Sequence, residues 1–279
     1  PPSGQMIMFG FLTETSVPRL YVAGIVPGLI IASTFIFTTF LACLFVPRWG
    51  GQKIETSWAQ RIKGLADLIP PITIFFVVIG TIYTGFATPT ESAALGVITS
   101  LVFALFKKRL SWPVIIAIMD NTVQLTGMIL LLLIGAFSLN FVLSATGITK
   151  SLVSLVDQSG LTPTELILFV CLFYFILGCF MESLAMTVTT VPLVFPIVVS
   201  QGWDPVWFGI LVMVLVEIAM ITPPVGATLF VSHGVRKDGG PITDVFIGSA
   251  IFLPALFGFI VFMINFPDVI LWLPNLAFN

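Results

Sequence analysis

Apolar positions run in long blocks separated by short polar breaks, and they rarely alternate with polar ones. The blocks at 20–46, 65–86, 91–106 and 125–143 predict helices able to cross a hydrocarbon layer, which takes about 20 apolar residues. The blocks at 165–180, 184–199, 206–221 and 227–235 are mostly shorter, and 245–266 closes the series. Short runs interrupted by Pro or Gly predict re-entrant hairpins or discontinuous helices. Barrel strands would alternate in polarity along their length, whereas 129–137 and 251–264 are apolar almost throughout. The predicted fold class is therefore an all-α membrane protein, a multi-span helical bundle with re-entrant hairpins and broken helices. Two connections, 110–124 and 148–160, mix apolar and polar residues at helical spacing, so they read either as helices on the membrane surface or as extensions of spans.

Composition narrows the function. Of 279 residues, 58% are hydrophobic and 9% charged, against roughly 25% charged in soluble domains. The length accommodates about seven to nine membrane segments. A net charge of -2 gives no basic footprint for nucleic acid. Cys43, Cys171 and Cys179 lie inside apolar runs with no metal-ligand spacing, and His233 is the single histidine. Phosphate-binding loops and the usual hydrolase motifs are missing, so an enzyme is not expected. All six tryptophans fall in connections or at span ends, which predicts an interfacial aromatic belt. Basic residues cluster at 48–63, 107–109 and 236–237; if 65–86 and 91–106 pair as two crossings, the three clusters share one face, which the positive-inside rule puts in the cytoplasm.

An internal repeat is visible. Pro1-Pro2-Ser3-Gly4 returns as Pro223-Pro224-Val225-Gly226, each followed by a short apolar arm, a polar loop and a long span containing Gly and Pro, with Gly24 and Pro27 against Gly248 and Pro254. Inverted-topology repeats carry such duplicated hairpins. The expected division is 1–109 as the remainder of a first repeat with a break around 85–91, 110–125 as an amphipathic connection, and 126–279 as a second repeat containing a hairpin at 206–235. With no initiator Met or signal segment at its start, the chain is expected to be the later part of a longer protein.

Two adjacent prolines at a hairpin tip end a helical hydrogen-bond ladder and leave carbonyls free. Thr222, Pro223, Pro224 and Gly226, with Pro1, Pro2 and Ser3 as their counterparts, are therefore candidate oxygen-rich sites for Na+. Glu182 lies between two half-length runs with Thr187, Thr189 and Thr190 one to two turns later, and is the favoured cation partner, because ionisable groups at membrane depth are costly and usually functional. Glu217, five residues before Thr222, reads slightly more as a satisfied structural acid, and Asp67 as a solvated or capping residue. Thr88-Pro89-Thr90-Glu91 and Thr162-Pro163-Thr164-Glu165 both have the form of a helix-capping box. The first follows a tight break at Gly85-Phe86-Ala87, which leaves it equally a helix start aimed at the interior.

Taken together, PPSGQMIMFGFLTETSVPRLYVAGIVPG, GFATPTESAALG, MESLAMTVTTVPLVFPIV, DPVWFGILV and ITPPVG, in this order, resemble the large membrane subunit of TRAP (tripartite ATP-independent periplasmic) transporters over essentially the whole chain. The resemblance implies an elevator-type secondary transporter with transport and scaffold domains in a bacterial or archaeal inner membrane. Its implied partners are a small TRAP membrane subunit and a periplasmic substrate-binding protein, its substrate an organic acid, and its coupling ion Na+ with no further cofactor. It places the second hairpin tip at 222–226, with Val225 toward substrate beside Thr189, and turns Thr88, Pro89, Thr90 and Glu91 to the substrate cavity. Glu182 stands where the family more often has the shorter Asp. The rival readings are a non-transporting membrane scaffold and a carboxylate symporter that needs no binding protein.

Overall fold

The computed structural model describes residues 3–50, 57–224, 226–236 and 239–278, and all regular structure among them is helical. In chain order the helices are α1 (Gly4–Thr13), α2 (Val17–Ala23), α3 (Ile25–Phe45), α4 (Trp58–Ala66), α5 (Ile69–Tyr83), α6 (Pro89–Phe106), α7 (Trp112–Thr146), α8 (Ile148–Gln158), α9 (Pro163–Gly178), α10 (Ser183–Ser200), α11 (Pro205–Met220), α12 (Ala227–Gly234), α13 (Ile242–Ala250), α14 (Leu253–Asn265) and α15 (Pro267–Phe278). Six stretches of the described residues are long and apolar enough to span a membrane: Val17–Phe45, Trp58–Tyr83, Pro89–Phe106, Trp112–Thr146, Ser183–Ser200 and Ile242–Asn265. The protein is an all-α, multi-pass membrane protein, as the apolar blocks predict.

The chain divides into two compact units, Pro1–Phe45 with Leu131–Asn279, and Val46–Leu130. In the larger unit α11 is the central element. Every residue of it except Pro205, Glu217 and Met220 is buried, as befits a helix that is apolar all round. It packs against α1, α2, α9, α10, α14 and α15. Gly209 lets α1 and α2 approach, because a Cβ there would meet the Phe9 ring at 2.8 Å and Leu20 at 2.7 Å. Large side chains on the outer faces, among them Phe37, Phe40, Phe141 and Phe169, stay exposed, which suits a surface that lipid covers.

Trp207 departs from the expected aromatic belt. It is fully buried, stacks on Trp203 with ring centroids 4.2 Å apart, and donates its indole N–H to the Met263 carbonyl at 3.2 Å. Packing between α11 and α14, rather than an interface with headgroups, fixes it. Trp49, Trp58, Trp112 and Trp272 are exposed.

Residues 112–124 run unbroken into the 35-residue α7, so the span extension is the reading that holds for that connection. Pro113 sits in the first turn, where its missing N–H costs no hydrogen bond. The segment at 148–160 does form a separate helix, α8, set off by Gly147 at φ 73°, a left-handed conformation that favours glycine.

In the smaller unit α5 and α6 form an antiparallel pair. Thr81 Oγ1 lies 2.9 Å from Ser92 Oγ, and a Cβ on Gly96 would meet Val78 at 2.8 Å. The partner moves back along α5 as it moves forward along α6, so the chain reverses at 84–88. Gly85 (φ 69°) supplies the turn.

Candidate functional site

Four helix ends meet around one small cavity in the larger unit. Gly178 is the last residue of α9, Ser183 the first of α10, Ala219 and Met220 the last of α11, and Gly226 immediately precedes α12. These residues, with Met181 and Glu182, line a cavity of about 90 Å³. A water's share of liquid volume is about 30 Å³, so the space suits a few waters or one ion and is far too small for an organic acid.

Local sequence explains each end. In α11 the ladder closes with Ile221 N–H donating to the Ile218 carbonyl and Thr222 N–H to that of Ala219, both at 3.2 Å. Pro223 and Pro224 then have no N–H to continue it. The buried Thr222 hydroxyl donates to the Ile218 carbonyl at 2.6 Å. Gly226 restarts the chain by accepting the Leu229 N–H at 2.8 Å. A Cβ on Gly226 would press on Leu229 at 2.8 Å and on the Thr222 carbonyl at 3.0 Å, so the turn has no room for a larger residue. The second wall depends on glycine as well. Gly178 lies directly against Ala219, and an added Cβ would collide with that methyl group.

Glu182 caps α10. Its Oε2 accepts the Leu184 N–H at 2.9 Å and the Ala185 N–H at 3.0 Å, while Oε1 accepts the Ser183 hydroxyl at 2.8 Å. A carboxylate has about four lone-pair directions, so three donors leave acceptor capacity at the cavity edge. The cap also fixes the carboxylate against its own helix, with the negative charge beside the positive pole of α10.

Helix ends carry partial charge, positive at N-termini and negative at C-termini. The cavity thus meets two carbonyl-rich ends, of α9 and α11, and two amide-rich ends, of α10 and α12. Such an arrangement of discontinuous helices can hold a cation at the carbonyl ends and attract an anionic group to the amide ends.

The structure brings Glu182 and Gly226 into one cavity, with the Thr222 carbonyl adjoining Gly226. Thr187 is buried and donates to the Ser183 carbonyl at 2.9 Å, outside the cavity lining. Thr189 is exposed on another face of α10. Ser3 starts α1 without a side-chain cap and lines a second cavity beside Glu217. Thr88 to Glu91 belong to the smaller unit, where they form a complete capping box. Glu91 Oε2 accepts both the Thr88 N–H and its hydroxyl at 2.8 Å, and Thr88 Oγ1 accepts the Glu91 N–H at 3.3 Å. Thr162 and Glu165 repeat this at the start of α9. Pro1, Pro2 and Val225 lie outside the described residues.

Sequence reasoning passed over Gly178 and Ala219, which shape the cavity. The available signal was a glycine closing an apolar run four residues before Glu182. Glu217 is exposed on α11 and makes no hydrogen bond with a described residue.

Comparison with known proteins agrees with this architecture. The sequence model of the family described as tripartite ATP-independent periplasmic transporter, DctM component, matches residues 1–269. The chain is 32% identical to the C4-dicarboxylate TRAP transporter large permease protein DctM of Pseudomonas aeruginosa, over 99% of this chain and 64% of that protein. It is 29% identical to the ectoine TRAP transporter large permease protein TeaC of Halomonas elongata, over 100% of this chain and 65% of the relative. It is also 28% identical to the sialic acid TRAP transporter large permease protein SiaM of Vibrio cholerae, over 99% and 64%. The chain thus spans just under two thirds of the length of these relatives. With the match running through the broken helices that build the cavity, the chain belongs to the DctM component family of the tripartite ATP-independent periplasmic transporters.

Proposed function

We propose that this chain forms part of the large permease subunit of a secondary transporter in a bacterial inner membrane, importing an organic acid in symport with Na+. The observation that carries the reading is the convergence of four helix ends on the cavity of about 90 Å³ beside Glu182 and Gly226. In that cavity the carbonyl ends of α9 and α11, the spare acceptor capacity of Glu182 and the carbonyl oxygens of Thr222 and Gly226 supply hard oxygen ligands for Na+. Cation binding then holds the tip against α9, and the positive charge favours a carboxylate near the start of α12. Coupling follows: the substrate binds well only while the ion is present.

Family membership supports two partners, a small membrane subunit and a periplasmic substrate-binding protein. The substrate class rests on relatives named for C4-dicarboxylates and sialic acid, both carboxylates, and on the amide-rich ends of α10 and α12. Under the same reading Thr189 and Val225 contact substrate, Ser3 and its preceding prolines form a second tip, and the transport domain moves as an elevator.

The test is uptake by the full-length protein, reconstituted with both partners, from a panel of labelled organic acids. An inward Na+ gradient is expected to drive accumulation of at least one acid, a K+ gradient is not, and Gly226→Ala is expected to abolish the Na+ dependence. Accumulation indifferent to Na+ contradicts the coupling, and absence of uptake for every acid contradicts the substrate class.

A further inference from the structure

In the smaller unit α4 is an amphipathic helix whose described side chains are all exposed. It has a start of its own: Ser57 Oγ accepts the Gln60 N–H at 3.3 Å, and the Gln60 side chain accepts the Ser57 N–H at 3.0 Å, a complete capping box. At its far end Leu68 N–H donates to the Leu65 carbonyl at 3.0 Å, and Pro70 and Pro71 then lack the N–H groups that would continue the ladder into α5. Trp58, Ile62 and Leu65 recur at helical spacing on one face and are 75%, 65% and 62% exposed. At 3.6 residues per turn, positions 61 and 63, an arginine and a lysine, fall on the two margins of that face. The Arg61 guanidinium lies 5.0 Å from the centre of the Trp58 ring, and the sequence of α4 contains no acid.

More positive charge lies at the same level of this unit. α5 and α6 pair in antiparallel register, Thr81 against Ser92 and Val78 against Gly96, which brings the end of α6 at Phe106 level with the α4–α5 junction at Leu68. Lys107, Lys108 and Arg109 follow directly and are exposed. Along 46–68 the sequence sets Arg48, Lys53, Arg61 and Lys63 against Glu55 and Asp67, so that connection is net positive whatever its local pairing.

This combination suits lipid better than a protein surface. Lysine is depleted in protein interfaces, whereas a Trp-containing apolar stripe edged by basic side chains fits a bilayer surface. The stripe enters the acyl boundary and the basic groups reach back to the phosphates. The stretch Trp58–Tyr83 has 26 residues, more than the about 20 that a crossing needs, which leaves its first turns outside the hydrocarbon, where Arg61 and Lys63 avoid the cost of burial. Clusters of Lys and Arg beside a spanning helix attract anionic lipid. We propose that α4 lies on the membrane surface and, together with Lys107 to Arg109, forms a docking site for anionic phospholipid headgroups. The site ties the connection between α3 and α5 to the bilayer and draws on no residue of the Na+ cavity.

The test places the full-length assembly, with a nitroxide on Ile62→Cys and its other cysteines replaced by alanine, in nanodiscs of phosphatidylcholine with or without phosphatidylglycerol. Relaxation of the label by oxygen, which concentrates in lipid, is compared with relaxation by a water-soluble nickel chelate. The oxygen-to-nickel ratio is expected to favour oxygen and to rise severalfold with phosphatidylglycerol. Arg61→Gln with Lys63→Gln is expected to remove most of that rise, since each basic residue at an anionic surface is worth about fivefold. A label occluded from both reagents would show that protein covers α4, and one open to nickel alone that the helix stays in water; either overturns the proposal. So does a ratio indifferent to phosphatidylglycerol, or a rise undiminished in the double variant. Should that variant not fold, Lys107→Gln with Lys108→Gln decides, an undiminished rise again counting against the site. A failure of the Na+ reading leaves these outcomes intact.

Discussion

Gly178 holds its place for lack of a side chain. Its Cα faces Ala219, and a methyl group there would collide with that residue, forcing the end of α9 away from the end of α11. Gly178→Ala is expected to cost about 1–3 kcal/mol, the usual range for overpacking, seen as a lower Tm. Gly258→Ala, where an added Cβ meets nothing within 4 Å, is the matched control and should be neutral or slightly stabilising, since alanine is the better helix former. Thr190 supplies a second test. Its buried Oγ1 lies 2.7 Å from both the Met186 carbonyl and the Tyr174 hydroxyl. With one proton to give, it donates to the carbonyl and accepts from the tyrosine. Thr190→Val and Tyr174→Phe are each expected to lower stability by about 1 kcal/mol. Their double mutant should fall short of the sum, because both remove the same contact, and strict additivity in Tm-derived free energies would show that the bond contributes nothing.

At the scale of elements, the two broken regions, α9 to α10 and α11 to α12, end for chemically distinct reasons. The first is restarted by a carboxylate cap, Glu182, and the second is stopped by consecutive prolines. Replacing Pro223 and Pro224 together by alanine restores two N–H donors and should let α11 run on into the tip. The expected result is a folded protein that has lost any Na+-dependent rise in Tm; retention of that rise would show that the interrupted ladder is irrelevant to the site. Much of this was legible along the chain. The Thr-Pro-Thr-Glu signatures became capping boxes at α6 and α9, and Pro-Pro marked a real interruption, because caps and missing N–H groups are properties of the local chain. Trp207 was misjudged because its position near a helix start looks interfacial, whereas its burial depends on α14, some 56 residues away in sequence. The same limit hid Gly178 and Ala219, whose contact is purely tertiary.

For the whole molecule, the blocks of apolar residues were enough to establish a multi-pass helical bundle. A 10-residue α1 precedes the 29-residue stretch Val17–Phe45, and an 8-residue α12 precedes the 24-residue stretch Ile242–Asn265. What the sequence left open was which breaks meet. Single-chain periodicity is identical for a face turned to lipid and one turned to another helix, so it could not bring Glu182 to Gly226. The central claim is that the meeting point of the four helix ends is a Na+ site, and the most direct measurement is equilibrium binding of radioactive Na+ to the purified full-length assembly, wild type against Gly226→Ala. The account predicts saturable binding, competed by unlabelled Na+ and poorly by K+, with fewer sites per protein in the variant. An equal number of sites and equal affinity in both proteins would contradict it.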